Sequence, residues 1–269
     1  MTEQARDQAR KVDPITVEII RNGLLAVTEE MKSNLMRTAY NLIIYEALDF
    51  TVGLFTATGE TISIGLGLPM FIRGMSETVK AKIAKFQGDI HPGDILVTND
   101  AYVTGSHLNH FTFTLPVFHE GKLVAFCCCM AHWIDVGGVA GGATTDIYSE
   151  GLQVPLMKYR KAGVVNQDLV DIIAMNVRLP ERAREKRGTR RKGRSQVPPF
   201  PKPRLLQVGA LRTGIDVLER FQNLRAAVLL HLRQVDGERR MALLAHLDLA
   251  ARTIDHDFPQ RLDHFVGVG

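Results

Sequence analysis

Near the start of the chain, apolar side chains recur at intervals of three and four positions. This spacing predicts a long amphipathic helix over 15–40, with Asp13 as its N-cap and Pro14 in its first turn. The residues that carry the pattern are Val17, Ile20, Leu24, Val27, Met31, Leu35 and Met36. We interpret their common face as part of an ordinary hydrophobic core.

Further along, the pattern becomes that of β-strands joined by short turns. Strands are predicted over 50–56, 61–64, 95–97, 111–118 and 123–130, and helices over 74–85 and 169–178. Most of these strands occur as hairpins rather than singly between crossover helices. The pattern therefore predicts an α+β fold, with a long N-terminal helix, antiparallel β-hairpins and glycine-rich loops. The chain contains neither a P-loop nor a dinucleotide-binding fingerprint.

Charge divides the chain into two chemically different parts. The 269 residues have a net charge of +4, but residues 1–181 carry 15 basic and 20 acidic side chains, while 182–269 carry 18 and 9. We interpret 13–181 as one folded module, 182–204 as a basic, proline-rich linker, and 205–269 as an Arg/Leu-rich tail that is helical or disordered. The basic run at 182–194 contains no aromatic residue for base stacking, so a nucleic-acid partner is not expected.

Cysteine usage and hydropathy indicate a cytoplasmic protein with no membrane partner. The N-terminal residues lack the apolar segment of an export signal, and no run reaches the roughly 20 apolar residues of a membrane span. The three cysteines at 127–129 are consecutive and cannot form an ordinary disulfide framework. They alternate sides of a predicted buried strand without a basic neighbour, so we assign them to the core rather than to nucleophilic chemistry.

The residues best suited to chemistry lie at the two ends of the second predicted hairpin. His107 and His110 are three positions apart at its entrance, and His132 and Asp135 repeat this spacing after its return strand. A hairpin brings its ends together, and converging imidazole and carboxylate groups suit a divalent transition metal with an open position. Asp100 is either a further ligand or a carboxylate that orients a histidine. The alternative is that these histidines only bond neighbouring loops.

Other candidates carry weaker signals. Glycines in the 136–142 loop allow close approach of a ligand or a positive φ, or they form a plain mobile loop. Glu46 and Asp49 lie where the first helix gives way to a strand, and either is a candidate general base or simply solvated. Glu150, near Lys158 in sequence, is a candidate substrate contact or part of an ordinary turn.

Nine ordered motifs within 13–181 resemble the hydantoinase B/oxoprolinase family. They are Asp13-Pro14-Ile15, Met36-Arg37-Thr38-Ala39-Tyr40, Asp49-Phe50, Pro92-Gly93-Asp94, Thr98-Asn99-Asp100-Ala101-Tyr102, Gly105-Ser106-His107-Leu108-Asn109, Ala131-His132-Trp133-Ile134-Asp135-Val136-Gly137-Gly138, Glu150-Gly151-Leu152-Gln153-Val154-Pro155 and Asn176-Val177-Arg178-Leu179-Pro180-Glu181.

The resemblance implies a subunit of an ATP-dependent amidohydrolase that acts on a cyclic amide of the hydantoin or 5-oxoproline type. A hydantoinase A-like partner would use ATP to phosphorylate an enolate or imidate oxygen, and the B-type subunit would take this intermediate to hydrolysis. In the related acetone and acetophenone carboxylases the reaction is carboxylation, which is the alternative function. The same resemblance implies metal ligands at His107, His110 and His132. We assign catalytic or orienting roles to Asp135, Asp100 and Glu150.

The chain departs from the family pattern in two ways. His110 stands where the family usually has Asp, which favours zinc or another nitrogen-preferring metal and leaves zinc and manganese as the candidates. The resemblance also ends at Glu181, and members of the family are longer. A shifted reading frame or a chain split between two genes would produce this break. A truncated or frameshifted, non-catalytic remnant of the family is therefore a further alternative.

Overall fold

In the computed structural model, which describes residues 14–39, 41–139 and 144–178, one antiparallel sheet forms the centre of the protein. The seven strands are β1 Phe50–Thr56, β2 Thr61–Leu66, β3 Ile95–Thr98, β4 His110–His119, β5 Lys122–His132, β6 Met157–Lys161 and β7 Val164–Val165. Their order across the sheet is β2-β1-β5-β4-β3-β6-β7. Each neighbouring pair is antiparallel. The predicted α+β class is therefore confirmed.

Six α-helices of the described residues accompany the sheet. They are α1 Pro14–Thr38, α2 Leu42–Tyr45, α3 Ile72–Lys85, α4 Ala101–Thr104, α5 Ile147–Glu150 and α6 Gln167–Asn176, and a 3₁₀ turn at Pro69–Phe71 precedes α3. The predicted long helices and both hairpins occur with small changes at their ends. The second hairpin is longer than predicted, so that His110 and His132 are its terminal residues. None of the helices in the described ranges is long and apolar enough to span a membrane.

The two longest helices cover opposite faces of the sheet. The buried face of α1 packs in one cluster with Val52, Cys127 and Cys129, whereas α3 packs in another with Phe126 and Cys128. The cysteines thus alternate between the two faces, as predicted for a buried strand. Burial raises the pKa of the Cys127 thiol to about 12 and raises that of the other two.

Close approach of α1 to the sheet depends on one glycine. A Cβ at Gly65 in β2 would lie 2.6 Å from the backbone oxygen of Thr28 in α1. Beside this contact, the hydroxyls of Thr28 and Ser63 are 2.8 Å apart and form a buried hydrogen bond. The missing side chain therefore allows the helix backbone to lie directly against the strand.

The predicted linker 182–204 and tail 205–269 lie outside the described residues, as do Asp13 and the glycines at 141 and 142. The helix cap predicted at Asp13 and the two later segments stay predictions. The described fold runs from the first helix to Arg178, and the predicted division of the chain at 181 stays a prediction.

Candidate active site

The register of the central hairpin places two histidines opposite each other. His110 begins β4 and His132 ends β5, and the two are paired residues across the strands. A tight turn, in which the N–H of His110 donates to the carbonyl of His107, brings a third histidine to the same end. The ring centroid of His107 lies 4.5 Å from that of His110 and 5.0 Å from that of His132, and the centroids of His110 and His132 are 5.0 Å apart. We call these three residues the histidine cluster.

Exposure falls across the histidine cluster from one ring to the next. His107 is exposed, His132 is half-buried and His110 is 1% exposed. The ring of Phe71, which precedes α3, lies 4.6 Å from the ring of His110 and closes the inner side. The cluster is therefore open to solvent at His107 and closed against the core at His110.

Asp49 brings a carboxylate to the histidine cluster. It directly precedes β1, which pairs with β5, and the backbone N–H of His132 donates to its carbonyl. Its Oδ1 atom lies 2.9 Å from Nε2 of His110. Burial by itself raises the pKa of Asp49, but the hydrogen bond with His110 and the charges of all three histidines outweigh burial and lower it. The carboxyl group is therefore ionised at neutral pH.

His110 has a partner on each ring nitrogen. Nε2 contacts Asp49, and Nδ1 lies 2.8 Å from the hydroxyl oxygen of Ser106. Since an ionised carboxylate only accepts hydrogen bonds, the Nε2–H group of His110 donates to Asp49, and Nδ1 shares the second hydrogen bond with the Ser106 hydroxyl. In the sequence analysis Asp49 is a candidate general base and Ser106 is a member of a family motif without an assigned role. Their contacts with His110 were not predicted, because both depend on the folded arrangement.

His132 is fixed through its backbone but has an unpaired ring nitrogen. The buried Asn41 amide donates to its carbonyl over 2.6 Å. The Nδ1 atom of the His132 ring is buried and has no hydrogen-bond partner among the described residues. Burial, reinforced by the charges of His110 and His107 and opposed by Asp49, lowers the pKa of His132 to about 4. The ring is therefore neutral at pH 7, with a lone pair available.

The three carboxylates predicted to be catalytic are engaged with backbone groups. Asp100 accepts from the N–H of Tyr102 as the N-cap of α4. Asp135 accepts from the N–H groups of Gly137 and Arg178 and forms an ion pair with the Arg178 guanidinium. Their predicted catalytic roles stay predictions.

The third carboxylate, Glu150, supports the turn that carries His107. It accepts from the N–H of Leu108 over 2.8 Å. Lys158, considered above as its neighbour in a substrate site, instead pairs with Asp94 and Asp89. Glu150 is therefore connected to the histidine cluster through the backbone of its loop.

Glycines after β5 serve the packing of this loop. Gly137 has φ +89°, and a Cβ on Gly138 would lie 2.0 Å from the backbone oxygen of Glu150. Of the alternatives considered for these glycines, a positive φ holds at Gly137. At Gly138 the close approach is between two backbone segments of the protein.

The buried Asn99 ties the same region together. Its side-chain N–H groups donate to the carbonyls of Leu108 and Leu152, and its oxygen accepts from the N–H of Val154. The residue belongs to one of the motifs quoted above, and the structure gives it a clamping role. It holds the turn of the histidine cluster against the segment that follows α5.

The donor groups suit a metal ion in kind but not in their present orientation. The donors are three imidazoles, of which His132 has an unpaired Nδ1, and one carboxylate, and zinc or manganese accepts both kinds of group. However, no group of three or more His, Cys, Asp or Glu among the described residues is arranged to hold a metal ion. His110 in particular has no free ring nitrogen in this arrangement, because Nδ1 and Nε2 both have hydrogen-bond partners.

The family model for Hydantoinase B/oxoprolinase matches residues 13–186. The chain belongs to the hydantoinase B/oxoprolinase family. This confirms the resemblance inferred from the motifs, and the histidine cluster lies within the matched region. The match extends a few residues beyond Glu181, where the quoted motifs end.

Named relatives of this hydantoinase B-family chain include enzyme subunits and longer enzymes. It is 32% identical to the beta subunit of the caprolactamase of Pseudomonas jessenii, over 62% of this chain and 29% of that subunit. It is 31% identical to the B-type subunit of a putative D-/L-hydantoinase of Pseudomonas sp. (strain NS671), over 64% and 31% of the two chains. It is 31% identical to 5-oxoprolinase 1 of Arabidopsis thaliana, over 58% of this chain and 13% of that protein. The matched region is thus less than a third of each relative.

Two solved structures share the fold. The crystal structure of the ATP-dependent caprolactamase from Pseudomonas jessenii superposes with a TM-score of 0.69 at 25% identity, covering 91% of this chain and 38% of that chain. The nucleotide-free structure of acetone carboxylase superposes with a TM-score of 0.68 at 18% identity, covering 88% and 29%. The second similarity concerns the fold alone.

Proposed function

We propose that this hydantoinase B-family chain provides the reaction centre of an ATP-dependent amidohydrolase that opens a cyclic amide of the hydantoin or 5-oxoproline type. The observation that carries the proposal is the histidine cluster, whose three rings meet within 5.0 Å beside the ionised Asp49. One relative is named as a caprolactamase subunit, another as a putative hydantoinase subunit and a third as a 5-oxoprolinase. These names support a cyclic amide as the substrate class.

The cluster would hold one divalent metal ion, zinc or manganese, through His107, His110 and His132, with Asp49 as a fourth donor. Such an ion would polarise a substrate carbonyl and lower the pKa of a bound water. His110 would have to give up its hydrogen bond with Asp49 to become a ligand through Nε2, because that nitrogen now contacts the carboxylate. The low pKa of His132, about 4, keeps its ring unprotonated at neutral pH, as a ligand must be.

The surrounding residues orient this centre. Exposed His107 is the ring that incoming substrate meets first, and Phe71 excludes water behind His110. Glu150 holds the turn of His107, and Asn41 holds the backbone of His132. In this proposal Glu150 is a positioning residue, and Asp100 and Asp135, which hold the loops on either side, are the candidate orienting or base groups.

ATP would be used by a hydantoinase A-like partner subunit. Two of the relatives are themselves named as subunits of larger enzymes, which supports a hetero-oligomer. The second candidate function is that of an ATP-dependent ketone carboxylase subunit, supported by the common fold with acetone carboxylase. The third is a non-catalytic member that keeps the fold without turnover.

Metal analysis of the full-length chain tests the reaction centre. We expect about one zinc or manganese per chain, lost in His132→Ala and retained in His91→Ala, which removes an exposed histidine outside the cluster. A metal-free wild-type protein after purification with added zinc or manganese would refute the metal site.

Co-expression with a hydantoinase A-like subunit tests the reaction class. We expect ATP-dependent opening of a hydantoin or 5-oxoproline that is abolished in His132→Ala. Bicarbonate-dependent consumption of acetone or acetophenone would instead support the carboxylase function. Absence of both reactions in a complex that forms and binds ATP would support the non-catalytic alternative.

A further inference from the structure

Arg178 follows α6 and is held against the loop after β5. Its backbone N–H donates to the Asp135 carboxylate over 2.6 Å. Its guanidinium forms an ion pair with the same carboxylate, whose side chain is 13% exposed, and donates to the Gly138 carbonyl. A guanidinium presents several N–H donors in one plane and can therefore bind both acceptors at once. Arg178 thus joins the segment after α6 to the loop after β5.

The loop after β5 in turn lies against the segment that carries Glu150. The N–H of Val139 donates to the Ser149 carbonyl over 2.9 Å. Next to this bond the two backbones approach so closely that a Cβ on Gly138 would collide with the Glu150 carbonyl oxygen. Because the two backbones are in direct contact and hydrogen-bonded, a displacement of the loop displaces the Glu150 segment as well.

The Glu150 side chain completes a path from Arg178 to the histidine cluster. Its carboxylate accepts from the N–H of Leu108 over 2.8 Å, and Leu108 directly follows His107. The path consists of three contacts in series, which join Arg178 to Gly138, Gly138 to Glu150, and Glu150 to Leu108. None of these contacts depends on the protonation of a histidine. The end of α6 is therefore connected to the exposed ring of the cluster.

We infer that Arg178 is a positioning residue, which fixes the turn of His107 through the loop after β5 and Glu150. Without the guanidinium, the Gly138 carbonyl loses this donor and the Asp135 carboxylate loses its cation, so local opening of the loop becomes easier. The catalytic consequence rests on the function proposed above, because it takes His107 as part of the reaction centre. The order of the turn, by contrast, is measurable without turnover.

Amide hydrogen exchange of the full-length chain, resolved at the Leu108 N–H, tests the path. This amide is the donor to Glu150, so its exchange rate reports directly on the last of the three contacts. We expect Arg178→Ala to speed its exchange about tenfold, since a hydrogen bond to a charged group shifts a local opening equilibrium by at least this factor. The amide of Phe113, in the buried middle of β4, should exchange as in the wild type.

Two further variants separate the ion pair from the rest of the arginine side chain. Arg178→Lys keeps a cation beside Asp135 but lacks the planar fork, and should restore part of the protection of Leu108. Asp135→Asn keeps a side-chain oxygen as an acceptor but removes the charge, and should speed exchange at Leu108 as Arg178→Ala does. Arg21→Ala is the matched control, because it removes an exposed arginine whose ion pair lies within α1. It should leave exchange at Leu108 unchanged.

Equal exchange at Leu108 in Arg178→Ala and the wild type would overturn the inference. Equal acceleration at Leu108 and Phe113 would also overturn it, because Arg178 would then only stabilise the whole fold.

Kinetics of a complex that turns over supplies the catalytic readout. Arg178→Ala should lower kcat more than it changes KM, since the reacting groups are displaced while binding is retained. Turnover at the wild-type kcat despite faster exchange at Leu108 would overturn the catalytic role. A wild type without turnover would remove the proposed function, and exchange at Leu108 would still decide whether Arg178 holds the turn.

Discussion

Lys82 in α3 allows a quantitative test of the packing beneath the sheet. Its side chain is completely buried, and Nζ donates to the Thr112 carbonyl and to the hydroxyls of Thr112 and Thr114, at 2.9 to 3.2 Å. None of the described carboxylates forms an ion pair with it. Burial therefore lowers the pKa of Lys82 from 10.5 to about 8. The sequence offered no sign of this, since a lysine in an amphipathic helix is normally solvated.

The lowered pKa of Lys82 makes the free energy of unfolding depend on pH. Between pH 8 and 10.5 the unfolded chain holds a proton that the folded chain has lost, so this group makes the folded state more stable as pH rises. The same contribution is lost as pH falls through 8. Over pH 7 to 10 it amounts to roughly 2–3 kcal/mol, since each pKa unit is equivalent to about 1.4 kcal/mol.

Urea denaturation of the wild type and Lys82→Met at intervals from pH 7 to 10 measures the contribution of Lys82 to the free energy of unfolding. Met keeps the length of the side chain, and the two threonine hydroxyls keep their own acceptors, the Thr98 carbonyl and the Cys128 sulfur. We expect the free energy of unfolding of the wild type to gain roughly 2–3 kcal/mol over that of the variant as pH rises from 7 to 10. The buried thiols, whose raised pKa values make the fold less stable above about pH 9, contribute to both proteins.

Lys85→Met is the control for Lys82→Met, because Lys85 is exposed in the last turn of the same helix. The difference in free energy of unfolding between Lys85→Met and the wild type should be the same from pH 7 to 10. A difference between the wild type and Lys82→Met that stays constant from pH 7 to 10 would refute the reasoning. Lys82 would then keep its ordinary pKa in the fold.

Three further outcomes are expected. Gly138→Ala should lower the urea midpoint, because its Cβ would lie 2.0 Å from the Glu150 carbonyl oxygen, and an unchanged midpoint would contradict the observed loop packing. Gly23→Ala, at a helix position with no atom within 4 Å of the new Cβ, should raise the free energy of unfolding by about 0.5–1 kcal/mol, as measured by the same denaturation. The thiols at 127–129 should react with an aromatic disulfide reagent only after urea unfolding, and rapid labelling of the native protein would disagree with their burial.

Local features of the chain were predicted well, because periodicity depends on neighbours in sequence. The spacing of apolar residues predicted the helix found at Pro14–Thr38, and the turn at Thr58-Gly59 predicted the first hairpin. The alternating cysteines of β5 were correctly assigned to the core. The proximity of His110 and His132 was predicted by the same logic, since a hairpin brings its two ends together, and the structure places them side by side.

Contacts between distant segments were beyond the reach of such patterns. Asp49 joins the histidine cluster only because β1 pairs with β5 on the side away from β4. Residue spacing does not distinguish Asp49 from Glu46, which is exposed, although Asp49-Phe50 is one of the motifs of the family resemblance. Similarly, Asp135 was grouped with His132 on spacing, but its carboxylate is engaged by Arg178.

The sequence by itself determined the family, the α+β class and the hairpin that carries two of the three histidines, because these depend on motifs and short-range periodicity. Only the tertiary structure decided how the donors are arranged. It pairs His110 with Asp49 and Ser106, leaves Nδ1 of His132 without a partner among the described residues, and turns the carboxylates of Asp100 and Asp135 towards backbone amides. The reason is that strand order and side-chain orientation result from packing over the whole sheet, which residue spacing does not encode.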